Sequence, residues 1–331
     1  MSAAAQIPAP PSVCKILSLD GGGAKGFYTL GVLNEIEAML GGPLCEHFDL
    51  VFGTSTGAII AALLCLGYSV SDVHDLYKKH VPTVMGHHTS HGRSKALAEL
   101  TNAVFGKSDF TCVKTGIGIV STRWQLERPM IFKGDVSQAH GRTATFVPGF
   151  GCTIADAVKA SCSAYPYFEK CTLTTSTGNQ VELIDGGYCA NNPTLYAIAD
   201  AVRALNRTSS ELRVVSVGVG VYPEPAHWTT PKYLVSWLAK RLIGFTGIQL
   251  LQKTLNVNTA SMEQLRFILF KNIRAVRIND TFEQPEMATN LLESDLKKLN
   301  LLYQRGGESF AKYETQLREL LDLPAQGTGH A

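Results

Sequence analysis

The chain has 331 residues, of which 45% are hydrophobic and 18% charged, enough for one large α/β domain or two smaller ones. Its 30 basic side chains nearly balance 28 acidic ones, and the net charge of +2 excludes a nucleic-acid binder working through bulk charge while leaving room for a local basic patch. Eight scattered cysteines form no CxxC pair and read as the reduced thiols of a cytoplasmic protein, not as a disulfide or zinc framework.

Residues 1–12, rich in Ala, Pro and Ser, have no basic start and no apolar centre, and read as a flexible leader. Residues 15–19 are a strand. Asp20-Gly21-Gly22-Gly23-Ala24-Lys25-Gly26 follows as a glycine-rich loop, and residues 27–40 as a helix closed by Gly41-Gly42-Pro43. The spacing Gly21-x-Gly23-x-x-Gly26 is formally that of a dinucleotide-binding loop. No acidic residue closes a second strand about 20 residues on, and Lys25 precedes Gly26 where a phosphate-binding loop needs Ser or Thr. A second use is an oxyanion hole: consecutive glycines leave backbone N–H groups bare for a developing negative charge, with Lys25 adding a positive one. A third is a glycine turn that only caps the helix.

Residues 47–52 end in a short apolar run, and Gly53-Thr54-Ser55-Thr56-Gly57 leads into a helix of small and branched residues at 58–64. A serine flanked by glycines at a strand-to-helix turn is the nucleophile-elbow pattern; the bland alternative is a tight turn without chemistry. The longest apolar run, residues 58–66, is too short to cross a bilayer, so membrane contact is expected to be peripheral. Residues 70–110 read as helical and then irregular. His87, His88 and His91 have no carboxylate or cysteine among them, which favours an exposed mobile loop over a metal site.

Strands follow at 115–120 and 129–132, a helix at 154–163, and a strand at 180–184 running into Asp185-Gly186-Gly187 and Asn191-Asn192-Pro193. A helix at 194–205 and a strand at 212–217 complete the alternation. Such alternation predicts an α/β fold with a mainly parallel sheet covered on both faces. In such sheets reactive groups gather beyond the strand carboxyl ends, so the glycine loop, Ser55 and Asp185 are expected on one edge. Between 232 and 255 an apolar stripe with Trp237 beside Lys240 and Arg241 suits either a membrane surface or a core or subunit face. A strand at 273–278, amphipathic helices at 288–323 and a loose tail at 325–331 finish the chain. The expected organisation is a leader (1–12), a catalytic core (13–222), a helical insertion, lid or interface (223–272), a strand and helices completing the same domain (273–323) and a tail (324–331).

Taken together, the glycine loop from Asp20 to Gly26, the Ser55 pentapeptide, Asp185-Gly186-Gly187 with Asn191-Asn192-Pro193, and the helix end Ala160-Ser161-Cys162-Ser163-Ala164-Tyr165-Pro166-Tyr167-Phe168 resemble the patatin-like phospholipase family. The resemblance spans roughly residues 14–222. It implies a three-layer α/β/α fold and a serine lipid acyl hydrolase with a Ser55–Asp185 dyad. It further implies Gly21, Gly22 and Gly23 as oxyanion hole and Lys25, Asn191 and Asn192 as substrate-binding or orienting residues, with no metal and no cofactor. Lys25 stands where the family commonly has arginine. The residues point the same way: after Asp185 only His227 and His330 remain as histidines, and neither closes a strand, so a dyad fits better than a triad. Residues 19–33 also resemble the patatin-like effectors of bacterial anti-phage systems. That implies antiviral defence, membrane phospholipid as substrate, a cyclic-nucleotide activator and a homo-oligomer among the partners, with no DNA or RNA polymer. A constitutive lipid acyl hydrolase, a dinucleotide-binding protein and a non-catalytic binding protein on a hydrolase-like scaffold are the alternatives.

Overall fold

The computed structural model describes residues 13–222 and 245–324. Its sheet has eight strands: β1 (Cys14–Leu19), β2 (Leu50–Thr54), β3 (Gly116–Arg123), β4 (Arg128–Lys133), β5 (Cys171–Thr174), β6 (Gln180–Asp185), β7 (Leu212–Val217) and β8 (Arg274–Ile278). The order is β5-β6-β3-β2-β1-β7-β8, with β4 also paired to β3. The helices are α1 (Gly26–Leu40), α2 (Thr56–Cys65), α3 (Val70–Gly86), α4 (Ser90–Phe105), α5 (Ile154–Ser161), α6 (Gly187–Ala190), α7 (Thr194–Arg203), α8 (Phe245–Leu269) and α9 (Leu296–Leu320).

Successive strand residues face opposite sides of the sheet, and here both sides are buried. Leu17, Leu19 and Val51 join a core built with α1 to α5 and α9, while Cys14, Ile16, Leu50 and Phe52 join a second core with Ala197, Ile198 and Ala201 of α7. This explains why the central strands read as continuous apolar runs, and it gives the expected three layers. The C-terminal strand joins the same sheet, β8 pairing parallel with β7, and α9 packs on α1. The α1–α9 contact is backbone-close: a Cβ on Gly31 would lie 1.9 Å from the Tyr303 carbonyl oxygen.

Some expectations change. Strands β1, β2, β3, β7 and β8 run parallel, but β4 and β6 run antiparallel to β3. The histidine stretch is no extended loop: α3 runs to Gly86, and α4 begins at Ser90, where the Thr89 hydroxyl accepts from Gly92 N at 3.0 Å. His91 lies within α4, its Nδ1 3.2 Å from Glu169 Oε1. Among the described residues no cluster of His, Cys, Asp or Glu is gathered as a metal site, and no helix is long and apolar enough to cross a membrane. Residues 288–323 hold one long helix, α9, instead of several, preceded by an irregular stretch. His227, Trp237 and the first part of the expected stripe lie outside the described residues; α8 carries its continuation.

Candidate active site

Three chain segments meet beyond the carboxyl end of the central strands. The register shows how. Thr54 at the end of β2 pairs with Val120 of β3, and Asp185 at the end of β6 pairs with the next residue, Ser121. Strands β2 and β6 therefore lie end to end along one edge of β3, running toward each other, so Ser55 and Asp185 meet head-on. Asp185 arrives at the expected edge, but from the opposite direction.

Ser55 adopts φ 53° and ψ −120°, a conformation a side chain rarely takes. Its neighbours make this turn possible: a Cβ on Gly57 would lie 2.3 Å from Leu19 O, and one on Gly53 would lie 2.2 Å from Gly57 O. The elbow is braced from α5, Ser55 N donating to Ser161 Oγ at 2.9 Å and that hydroxyl donating to Val120 O at 2.5 Å. The Asp185 backbone is fixed on both sides, its N–H donating to Ser163 O at 2.9 Å and its carbonyl accepting from Thr122 Oγ1 at 3.0 Å. Its carboxylate is 2% exposed and accepts from Gly187 N at 2.7 Å. Burial pushes its pKa up to about 6, while hydrogen bonds from the Ser55 hydroxyl and Gly187 N–H oppose the rise.

The glycine loop divides in two. Gly21 N–H already donates to Asn191 O at 2.9 Å, and Asn191 Nδ2 returns a bond to Gly21 O at 3.1 Å. Ala24 N–H is taken by Leu291 O at 3.0 Å. Between them, the N–H groups of Gly22 and Gly23 have no acceptor among the described residues, and both glycines line the same cavity as Ser55 and Asp185. The rest of that cavity is almost wholly apolar, with Ile59 and Leu97 on one side and Leu251, Leu255, Leu291 and Leu292 on the other. Its volume is about 70 Å³.

The other expected residues sit elsewhere. Lys25 is 2% exposed, off the cavity, with Nζ 5.6 Å from the centre of the Tyr222 ring; burial lowers its pKa to about 8. Asn191 and Asn192 do not line the cavity either. Asn191 N donates to Asn258 Oδ1 and its Nδ2 to Thr259 Oγ1, both at 2.8 Å, while Asn192 Nδ2 reaches Glu263 Oε2 at 3.5 Å. They clamp the loop against α8. Sequence reasoning missed the support behind the loop: Arg277 of β8 holds both oxygens of buried Asp20, with Nη1 2.8 Å from Oδ1 and from Ser216 Oγ. An arginine between the buried Val276 and Ile278 of the strand was the available signal.

A strained serine, a buried carboxylate beside it and two free backbone N–H groups over an apolar slot are the parts that acyl-ester hydrolysis needs. Residues 17–198 match the model of the patatin-like phospholipase family, and the chain belongs to that family, which makes it a phospholipase, a carboxylic ester hydrolase. Over 310 residues it is 62% identical to the cUMP-AMP-activated phospholipase of Escherichia coli, covering 94% of both chains. It is 27% identical over 232 residues to a cGAMP-activated phospholipase of Vibrio cholerae, covering 62% of each, and 26% identical over 239 residues to patatin-like protein 2 of Arabidopsis thaliana, covering 62% of this chain and 57% of that one.

Proposed function

We propose that this chain is a serine lipid acyl hydrolase that cleaves fatty-acyl esters of membrane phospholipids through a Ser55–Asp185 dyad, and that a cyclic oligonucleotide switches it on in anti-phage defence. The observation that carries the chemistry is the head-on meeting of Ser55 and buried Asp185 on the wall of an apolar slot. Asp185 takes the Ser55 proton as the oxygen attacks the acyl carbonyl. The oxyanion that forms is received by the N–H groups of Gly22 and Gly23, which the loop already holds free of other acceptors. Collapse expels the lysophospholipid with that proton and leaves an acyl-serine. Water, deprotonated by Asp185, then attacks the ester and releases the fatty acid. Lys25, Asn191 and Asn192 act here by fixing the loop rather than by touching substrate.

The activation half rests on the 62% identity to a cUMP-AMP-activated phospholipase. It is supported by the slot: about 70 Å³ is far below the roughly 300–1,000 Å³ of a working small-molecule site, so an acyl chain needs the walls to move. Helix α8 leaves Leu250 and Val257 exposed next to the slot-lining Leu251 and Leu255, which supports peripheral contact with a lipid surface, with the enzyme working from the cytoplasmic side and assembling into a homo-oligomer when activated.

The test is fatty-acid release from mixed phospholipid vesicles, with and without cyclic UMP-AMP. The expected result is release by the wild type only with nucleotide, and by Ser55→Ala under neither condition. Full hydrolysis without nucleotide, unchanged by its addition, removes the activation and leaves a constitutive lipid acyl hydrolase. Wild-type rates from the alanine variant remove the dyad.

A further inference from the structure

A second cavity lies on the far side of β3 from β2, between the β3–β4 hairpin, the segment 136–150 and the turn between β5 and β6, and its volume is about 760 Å³. Three arginines line it: Arg123, Arg128 and Arg142. Among the described residues none of the three has an acidic partner. Arg123 and Arg128 are moreover directly paired across the hairpin. Like charges opposite each other on a sheet repel, and a bound anion turns that repulsion into attraction. The chain as a whole is nearly neutral, so this is a local concentration of positive charge.

The floor of the groove is tied down by a hydrogen-bond network. Asp200 is held by Lys133, His140 and Gln138, with Lys133 Nζ at 2.5 Å and His140 Nε2 at 2.6 Å. Gln138 is 1% exposed, and its Nε2 is fixed by Ile117 O at 3.1 Å and Asp200 Oδ2 at 3.0 Å. That fixes the amide orientation and holds this part of the floor in place. At the rim Phe150 is 41% exposed, a flat apolar surface beside the guanidinium groups. Cationic forks for phosphodiester oxygens, with a ring and guanidinium planes for stacking, together describe a nucleotide and not a simple anion. The volume lies within the range of about 300–1,000 Å³ typical of small-molecule sites.

We infer that this groove is the activator site of the chain and takes a cyclic dinucleotide, its two phosphodiesters on the arginines and a base against Phe150. The inference rests on the activated-phospholipase reading above and adds the location. The fold supplies a short link to the chemistry. Val181 of β6 lines the groove, and Asp185 lies at the other end of the same strand. Arg123 ends β3 beside Leu183, while the adjacent Thr122 bonds the Asp185 carbonyl. A ligand that pins the hairpin ends therefore acts on the strand that carries Asp185.

A phospholipid headgroup is also a phosphodiester, so the experiment separates the two sources. The midpoint of activation by cyclic UMP-AMP is measured for the wild type, Arg128→Glu and Arg142→Glu, with basal hydrolysis of a short-chain ester and melting temperature as checks on folding. Each charge reversal should raise the midpoint about tenfold or more, the loss of one charge-assisted contact, with basal hydrolysis unchanged. In the wild type, cyclic UMP-AMP should also slow amide exchange in residues 121–130 and 175–181, a readout that needs no variant. Unchanged midpoints, or protection confined to other segments, overturn the site while leaving activation intact. Absence of any response of the wild type to a panel of cyclic dinucleotides overturns the activated reading and this site with it. If the variants lose sedimentation with phosphatidylglycerol vesicles but keep their nucleotide midpoint, the groove is a headgroup site and the inference is wrong.

Discussion

At the scale of single residues, the proposed dyad makes Asp185 the group whose protonation the rate should follow. Burial raises its pKa to about 6, because the charged form loses water. A general base must be unprotonated, so kcat/KM for ester hydrolysis should rise tenfold per pH unit below about 6 and level off above it. A profile that falls across the same range would make Asp185 an acid and not a base. Ser55→Ala and Asp185→Asn should each lower kcat by about 10³-fold or more, and the double variant should be little worse than either, because residues that act as one unit are not additive. Equal multiplication of the two losses would separate their roles. The turn at Ser55 was readable, since a serine between glycines at a strand-to-helix boundary marks a sharp elbow. The individual duties of the glycines were not readable. Nothing in Gly21-Gly22-Gly23 says that Asn191, 170 positions away, uses the N–H of Gly21 while leaving those of Gly22 and Gly23 free. Nor does a lysine in a glycine loop announce that its side chain turns away from the cavity to lie over Tyr222.

At the scale of elements, the central strands and most helices of the first 222 residues were legible because both faces of the sheet centre are buried and the runs are strongly apolar, while the half-exposed β5 and the polar start of α4 were missed. Their directions were not. A strand buried on both faces reads alike whichever way it runs, and β6 enters antiparallel because a short hairpin brings it back from β5. The role of β8 was equally hidden: its pattern shows a strand, but the purpose of Arg277 depends on Asp20 lying 257 positions earlier. That pair makes the C-terminal strand part of the glycine loop. Arg277→Met leaves the Asp20 carboxylate buried and alone, and should destabilise the fold by about 3–5 kcal/mol. Adding Asp20→Asn should recover part of the loss in melting temperature without restoring full kcat, because the loop regains its neutrality but not its anchor. A double variant less stable than Arg277→Met would mean that the two side chains act separately.

At the scale of the whole molecule, the proposed activation requires a closed state. A slot of about 70 Å³ is closed by Leu251 and Leu255 of α8 and by Leu291 and Leu292 ahead of α9. The same α8 also carries Asn258, Thr259 and Glu263, which bond the segment that clamps the glycine loop. One helix thus both lines the apolar slot and steadies the glycine loop, so a shift that opens the slot must keep the second contact or replace it. Moving a closed slot from about 1:99 to 99:1 open takes about 5.5 kcal/mol of differential affinity, which the proposed activator would supply. Trimming the plug should do part of that work without one. The double variant Leu251→Ala, Leu255→Ala should raise nucleotide-free hydrolysis of a medium-chain ester several-fold and shrink the factor by which cyclic UMP-AMP stimulates it. It should also lower the melting temperature, since each buried leucine removed costs about 2–5 kcal/mol. The two readouts move apart only if α8 is a gate: a merely destabilised enzyme loses basal and stimulated rates together, and that outcome would assign Leu251 and Leu255 to the core and leave the slot to open elsewhere.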